Sequence, residues 1–405
     1  MWCKIKQKLK KRITFACFLI IKGKMMVLLP VLAMFVLVVL PDLYIYLHFI
    51  QHYPLIWRIL WWLPLICLSV LGICHLAGWG SPFPFRAFFL LLACVALPKL
   101  IFFLISLLGK GLGLMAPKAF QLANYLALLV AVTAFFAFIY GALWGWKKLG
   151  LQRQEFRFEQ LPPSFDGYKI VQISDLHVGT FGQDSAYFKK LVQLVNEQNP
   201  DMIVFTGDIV NTNPKELDPF MNVFPGLKAK DGIFAIVGNH DYCRYASNPT
   251  RKLQDEMFRE VIARERSFGW DVLLDEHRIV KRGSDSIAIV GVENVGKPPF
   301  PQRGNLKKAR AGLPEGVFEI LLSHDPTHWQ MEVLPDTDIQ LQLSGHTHGG
   351  QFELFGWSPA TLTYKEWDGH YQEGNQHLFI STGAGGNVPF RFGMWPEVVA
   401  ITLKK

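Results

Sequence analysis

The chain is 405 residues long, half of it hydrophobic, with a formal charge of +8. That length leaves room for more than one domain, and the charge is distributed unevenly. Residues 1–24 hold eight Lys/Arg and no acid, whereas residues 147–405 hold 28 basic against 32 acidic residues. A slightly acidic C-terminal part does not read as a nucleic-acid binder, so no nucleic-acid partner is expected.

In chain order, the first segment is the basic stretch 1–24, expected to lie in the cytoplasm beside a membrane. Ile13–Ile21 is too short to span and has basic residues on both sides, so it does not read as a secretory signal. Residues 25–146 contain one acid, Asp42, and five basic residues. Four apolar stretches there are long enough to cross a bilayer, which needs about 20 residues per helix: Met25–Leu47, Ile59–Trp79, Ala87–Leu108 and Phe120–Trp146. Tryptophans such as Trp57, Trp79 and Trp144 fall near the span ends, where indoles favour the interface. An inside N-terminus places thirteen Lys/Arg on the cytoplasmic side and three outside, so the C-terminal domain is expected in the cytoplasm. Asp42 and Lys99 read as an interfacial acid and a snorkelling lysine beside Pro98, not as a transport path. Five of the six cysteines precede residue 100 and only Cys243 follows, so no disulfide framework is expected.

Residues 147–167 read as a linker, and residues 168–405 as a mixed α/β domain. Apolar, largely β-branched runs predict strands at Tyr168–Ser174, Met202–Thr206, Gly232–Val237, Asp271–Leu274, Ile287–Val292, Phe318–Leu322, Ile339–Leu343, His377–Ser381 and Glu397–Thr402. Helices are expected near Asp184–Gln198 and Arg251–Phe268. Five of these strands run directly into polar blocks rich in metal-ligating residues. The blocks are Asp175-Leu-His177, Gly207-Asp208, Gly238-Asn239-His240-Asp241, Ser323-His324-Asp325 and Gly345-His346-Thr-His348-Gly349-Gly350. Such a set of oxygen and imidazole donors suits two divalent ions about 3.5–4 Å apart, which activate water and stabilise charge on phosphoryl oxygens. Gly207, Gly238 and Gly345 precede ligands where the lack of a Cβ permits close approach. Gly383–Asn387 reads as a turn between strands, and Cys243 as a small buried residue.

In this order, the blocks resemble the calcineurin-like metallophosphoesterase superfamily, and most closely its bacterial branch with a membrane-attached N-terminus. The resemblance covers about Tyr168–Leu403. It implies a four-layer α/β/β/α sandwich with metals at the strand ends, preceded here by an all-α bundle of about four transmembrane helices. It also implies that Asp175, His177 and His348 bind one metal, that Asn239, His324 and His346 bind the other, and that Asp208 bridges them. His240 would protonate the leaving oxygen, a task suited to imidazole, with Asp241 orienting its other ring nitrogen. Arg391, Arg244 and Arg310 are candidate phosphate contacts, since guanidinium pairs well with phosphate oxygens. Tyr242 and Tyr245 flank Arg244 in the same segment.

The expected function is that of a membrane-anchored dinuclear phosphoesterase, with Mn2+, Fe2+ or Zn2+ as cofactor. It would cleave a phosphomonoester, phosphodiester or pyrophosphate. Tethering beside a bilayer points to membrane lipid and a lipid-linked substrate, such as the UDP-diacylglucosamine-type lipid A precursor cleaved by some membrane-attached relatives. No specific protein partner is expected. The alternative is a transporter or sensor in which the phosphoesterase domain is a regulatory or metal-binding module.

Overall fold

A computed structural model describes residues 35–76, 82–246 and 249–405. The basic stretch 1–24 and the start of the first expected span lie outside the described residues. The chain divides into two compact units between Ile139 and Tyr140.

The first unit is helical. Among the described residues, three helices are long and apolar enough to cross a membrane: Leu55–Cys74, Phe85–Gly113 and Lys118–Lys147. The last of them runs on into the second unit. A shorter apolar helix, Val36–Ile50, covers the described part of the first expected span. Asp42 is buried there and pairs with Lys99 at 2.6 Å, while Lys99 also sits over the Trp61 ring at 4.0 Å. The snorkelling lysine expected from sequence is therefore a paired one, because an opposite charge on a neighbouring helix lies within reach of its ammonium.

The second unit contains two six-stranded sheets. Its strands are β1 (Gly150–Arg157), β2 (Lys169–Ile173), β3 (Met202–Phe205), β4 (Ile233–Ala235), β5 (Asp271–Val272) and β6 (Glu276–Arg282). They continue as β7 (Asp285–Gly291), β8 (Phe318–Leu322), β9 (Leu341–Ser344), β10 (Gly369–Glu373), β11 (Gln376–Ile380) and β12 (Glu397–Lys404). One sheet has the order β1-β12-β2-β3-β4-β5 and the other β10-β11-β9-β8-β7-β6. The residues expected as a linker thus supply β1, which pairs in parallel with β12.

Period-two alternation sends the side chains of each strand to opposite faces, and three apolar clusters follow. Between the sheets, Ile170, Met202, Val204 and Phe234 meet Ile289, Ile320, Leu343 and Phe379. On the outer face of the first sheet, Val171, Ile203 and Phe205 pack on Phe188, Leu191 and Val195 of helix Ala186–Glu197 and on Val261 of helix Arg251–Ser267. On the outer face of the second, Val290, Leu321 and Leu378 pack on Leu306, Trp329 and Val333. Helix, sheet, sheet and helix form the four layers expected. Strands β2, β3 and β4 run parallel, as do β7, β8 and β9, so their C-terminal ends face the same way within each sheet.

Candidate metal centre

Each ligand block begins within a few residues of a strand end: Asp175 after β2, Asp208 after β3, Asn239 after β4, His324 after β8 and His346 after β9. The blocks hold one another. The Asp175 N–H donates to the Gly207 carbonyl, and the His346 N–H to the Asp175 carboxylate. Gln172 Nε2 of β2 donates to the Ser344 carbonyl of β9 and ties the sheets together beneath the site. A Cβ on Gly238 would collide with Asp208 Oδ1, and one on Gly345 with Ser174 Oγ and Asp175 Oδ2. Glycine is required at both positions for that reason.

Five ligand candidates have left-handed backbone: Asp175 (φ 54°), His177 (42°), Asp208 (61°), His346 (74°) and His348 (52°). Non-glycine residues seldom adopt this region, and each instance costs of order 1–3 kcal/mol. The strain turns each chain sharply after its strand, so that consecutive blocks aim inward.

Donor atoms of Asp175, His177 and His348 form one group that could hold a metal ion, and those of Asp208, His324 and His346 form another. His177 Nε2 lies 3.2 Å from His348 Nε2, and His346 Nδ1 lies 3.2 Å from His324 Nε2. Donors bonded to one ion at about 2.1 Å stand roughly 3.0–3.4 Å apart, so these separations fit. Asp208 Oδ2 lies 3.6 Å from His177 Nε2 and 3.1 Å from His324 Nε2, between the two groups. Asn239 Oδ1 is buried with no hydrogen-bond partner, while its Nδ2 donates to the Tyr245 hydroxyl at 3.0 Å. A buried carbonyl oxygen without a partner is costly unless a ligand meets it, so the side chain also fits a metal.

The electrostatics point the same way. Burial holds His177 and His348 well below the usual imidazole range and lowers His346 to about 4, leaving lone pairs free at neutral pH. At His324 burial also lowers the pKa, but the Asp208 charge overrides it and raises the value to about 10. Burial would raise Asp208, yet the imidazoles of His324 and His240 hold it well below the carboxylate range. Asp175 is pushed up to about 6 by burial. His324 Nδ1 donates to the Thr206 carbonyl at 2.7 Å, which turns Nε2 toward Asp208, where a metal would take the place of the Nε2 proton.

His240 stands edge-on to His177, with ring centroids 4.7 Å apart, and its backbone N–H donates to Asp208 Oδ1. Its Nδ1 donates to the Asn211 carbonyl at 2.7 Å, leaving Nε2 as the remaining ring nitrogen. Asp241 therefore does not orient His240, contrary to expectation. Its buried carboxylate accepts the backbone N–H groups of Gly238, Asp208, Ile209 and Val210 and pins two ligand loops together. The Tyr245 ring lies beside His240, tilted by 38° with centroids 4.4 Å apart.

Arg391 also departs from expectation. It is fully buried, donates to the carbonyls of Thr382, Gly385 and Met394, and stands 3.4 Å from His348 Nδ1. Its guanidinium backs a ligand and is not presented to phosphate. Arg310 forks onto Glu319 at the start of β8, whereas His324 follows the far end of that strand. Five extended residues separate the two by roughly 17 Å, so Arg310 does not reach the site. Arg244 is exposed, and its charge acts on the Tyr245 hydroxyl at the rim. Gly383–Gly386 lies against Asp175 and Leu176, with the Gly385 N–H donating to the Asp175 carbonyl, as a support for the ligand loop.

Sequence reading gave no role to three groups. They are the Asn211 carbonyl, the Tyr364 hydroxyl 2.9 Å from His346 Nε2, and Asp325, whose buried Oδ2 lies 3.6 Å from the same nitrogen. Only Asp325 carried a signal, its place next to His324.

Residues 168–350 match the calcineurin-like phosphoesterase family. The uncharacterized metallophosphoesterase YkuE of Bacillus subtilis is 34% identical over 261 residues, 60% of this chain and 82% of the relative. The chain belongs to the calcineurin-like phosphoesterase family. It is thereby a metal-dependent hydrolase. A transmembrane protein with metallophosphoesterase domain from Danio rerio is 29% identical over 62% of this chain, which spans about half of that relative (56%). The UDP-2,3-diacylglucosamine pyrophosphatase LpxG of Chlamydia muridarum is 26% identical, over 62% of this chain and 88% of the relative.

Proposed function

We propose that the chain is a multi-pass membrane enzyme with a cytoplasmic dinuclear centre that hydrolyses a phosphoester or pyrophosphate bond in a lipid-linked substrate. The observation that carries the catalytic reading is the pair of donor groups joined by Asp208. Asp175, His177 and His348 would hold one ion, and Asn239, His324 and His346 the other. Bound divalent ions supply Lewis acidity and a water of lowered pKa. Manganese, iron and zinc all suit mixed nitrogen and oxygen donors. His240 holds its proton donor or acceptor nitrogen toward the site, aligned by Asn211, and delivers a proton to the leaving oxygen. Arg244 and Tyr245 meet substrate at the rim.

The lipid reading rests on the apolar helices and on the similarity to LpxG, a UDP-2,3-diacylglucosamine pyrophosphatase. A substrate of that type is the reading it favours. The decisive assay strips the purified full chain of metal, reloads manganese, and follows bis-p-nitrophenyl phosphate beside His240→Ala. Turnover that needs metal and falls about 10²–10⁴-fold in the variant is expected. Equal rates in both would overturn the assignment of His240.

A transporter or sensor with a phosphoesterase output is favoured by one observation, the pairing of the buried Asp42 with the half-buried Lys99 in the helical unit. Nearby helices add a chain of contacts from Tyr44 to Ser106 to Asn124. Comparing the full chain with one starting at Tyr140 separates the readings. Equal turnover of the lipid substrate would reduce the helices to an anchor.

A further inference from the structure

The segment joining His348 to Tyr364 carries large apolar side chains into solvent. Phe355 is 98% exposed, Leu362 78%, Trp357 49% and Leu354 44%. Singly exposed apolar residues are ordinary, but four within nine residues make a patch that marks a contact.

The backbone beneath them is well defined. Leu354 and Trp357 exchange both N–H···O bonds, at 3.0 and 3.1 Å, closing a hairpin with Phe355 and Gly356 at its tip. Both tip residues have positive φ, 54° and 80°, the pattern of a turn that prefers Asn-Gly or Asp-Gly. A phenylalanine at the first of these positions is strained and unburied. Neither turn geometry nor packing within the chain accounts for it.

The hairpin is fixed at its base. Phe352 bridges to Phe392, and the Glu353 N–H donates to the Phe392 carbonyl. Phe392 meets the ring of Trp395, which stands edge-on to Tyr140. The Arg391 N–H donates to the Gly141 carbonyl, and a Cβ on Gly145 would collide with the Arg391 carbonyl. Tyr140–Lys147 is the end of the last apolar helix. The hairpin base is therefore joined, through residues 390–395, to the point where that helix gives way to the catalytic unit. Lys148 lies over Trp395 there, 4.4 Å from the ring, a basic and aromatic combination suited to lipid headgroups.

The hairpin is tied to the metal centre as well. Ser358 Oγ donates to the carbonyl of Gly349, next to His348, and Tyr364 meets His346. We infer that the apolar hairpin Leu354–Trp357, together with Leu362, inserts into the bilayer interface and holds the metal centre against the lipid surface. The inference rests on the membrane-anchored reading and narrows it, because a centre held there takes amphiphiles from the bilayer plane. Burying phenylalanine and leucine side chains there is favourable, and in a chain already tethered beside the bilayer it adds a second point of attachment.

The test uses the full chain in nanodiscs with its six native cysteines replaced. An environment-sensitive fluorophore is placed at Phe355→Cys, and in a second preparation at Leu129→Cys in the last apolar helix. Quenching by lipids with a spin label near the headgroup is expected at both sites. Quenching at Leu129→Cys alone overturns the hairpin inference and leaves membrane anchoring intact. Quenching at neither site overturns both. Protection of Phe355→Cys from aqueous iodide without lipid quenching means that a second copy or another segment covers the hairpin, which also overturns the inference. In the native-cysteine background, a Phe355→Asp/Leu362→Asp chain should hydrolyse bis-p-nitrophenyl phosphate at the parental rate. It should lose about tenfold on a lipid phosphate presented in vesicles. Parental rates on both substrates would count against the inference, and metal-dependent turnover of the soluble ester reports on the catalytic reading independently.

Discussion

Arg391 and Glu265 show how burial decides what an ionisable side chain does. Arg391 ends with its guanidinium among backbone carbonyls behind His348. Arg391→Met is expected to lower manganese affinity about 10–100-fold, as loss of a ligand's support typically does, with kcat recovered at saturating metal. A substrate contact would instead raise KM with metal saturated, so a titration of both separates the roles. Glu265 is fully buried in helix Arg251–Ser267, and neither carboxylate oxygen has a hydrogen-bond partner. Burial raises its pKa well above 4.5, with the Asp241 charge adding to the shift. The folded state therefore holds a proton that the unfolded state releases. That stability is fully present below pH 4.5 and declines as pH rises toward the folded pKa, by about 1.4 kcal/mol per pH unit. Thermal midpoints from pH 5 to 8 should fall less steeply for Glu265→Gln than for the parent. Parallel curves would show that Glu265 does not carry the slope.

At the level of elements, the central strands were legible and, of the four edge strands, only β5 was, expected as Asp271–Leu274. Strands β2, β3, β8 and β9 are buried on both faces, and buried strands read as continuous apolar runs. The missed strands β1, β6 and β10 are all sheet edges. Polar segments such as Gly150–Arg157 carry the exposed side chains that protect an edge from further pairing, so they lack the alternation that marks a strand. The clustering of the site's donor side chains was legible because each of their blocks follows a strand end. The Asn211 carbonyl and the true roles of Asp241 and Arg391 were not, because they depend on which loops meet in space. The five left-handed ligand residues add a consequence. Their strain persists in the folded state, and bound ions offset it by stabilising that state alone, by about 2.7 kcal/mol at a hundred times Kd. Chelation should lower the thermal midpoint of the full chain, with recovery on adding manganese. Gly238→Ala should abolish that recovery, since its Cβ would displace Asp208 Oδ1. An unchanged midpoint on chelation would mean that the loops hold their shape without metal.

For the whole molecule, the uneven charge is the basis of the proposed orientation. The eight Lys/Arg of residues 1–24 and the basic residues at and beyond the end of the last apolar helix, among them Lys147 and Lys148, carry the same topological signal. On the four-span reading proposed above, both groups would lie in the cytoplasm, and the centre built from Asp175 to His348 would lie there too. The structure describes three helices long enough to span, with the first expected span only partly within the described residues. The count therefore matters, since three spans would put the two basic groups on opposite sides. Removing residues 1–24 still leaves five basic residues on the expected cytoplasmic side against three outside, so orientation should survive that deletion. A fluorescent protein fused after Lys405 should be bright in both the full and the shortened chain, because it folds only in the cytoplasm. A fusion to a periplasmic phosphatase at the same position should be inactive in both. Phosphatase activity in the full chain would reverse the orientation and put the active site out of reach of cytoplasmic substrates. Activity only in the shortened chain would show that the N-terminal basic residues set the topology.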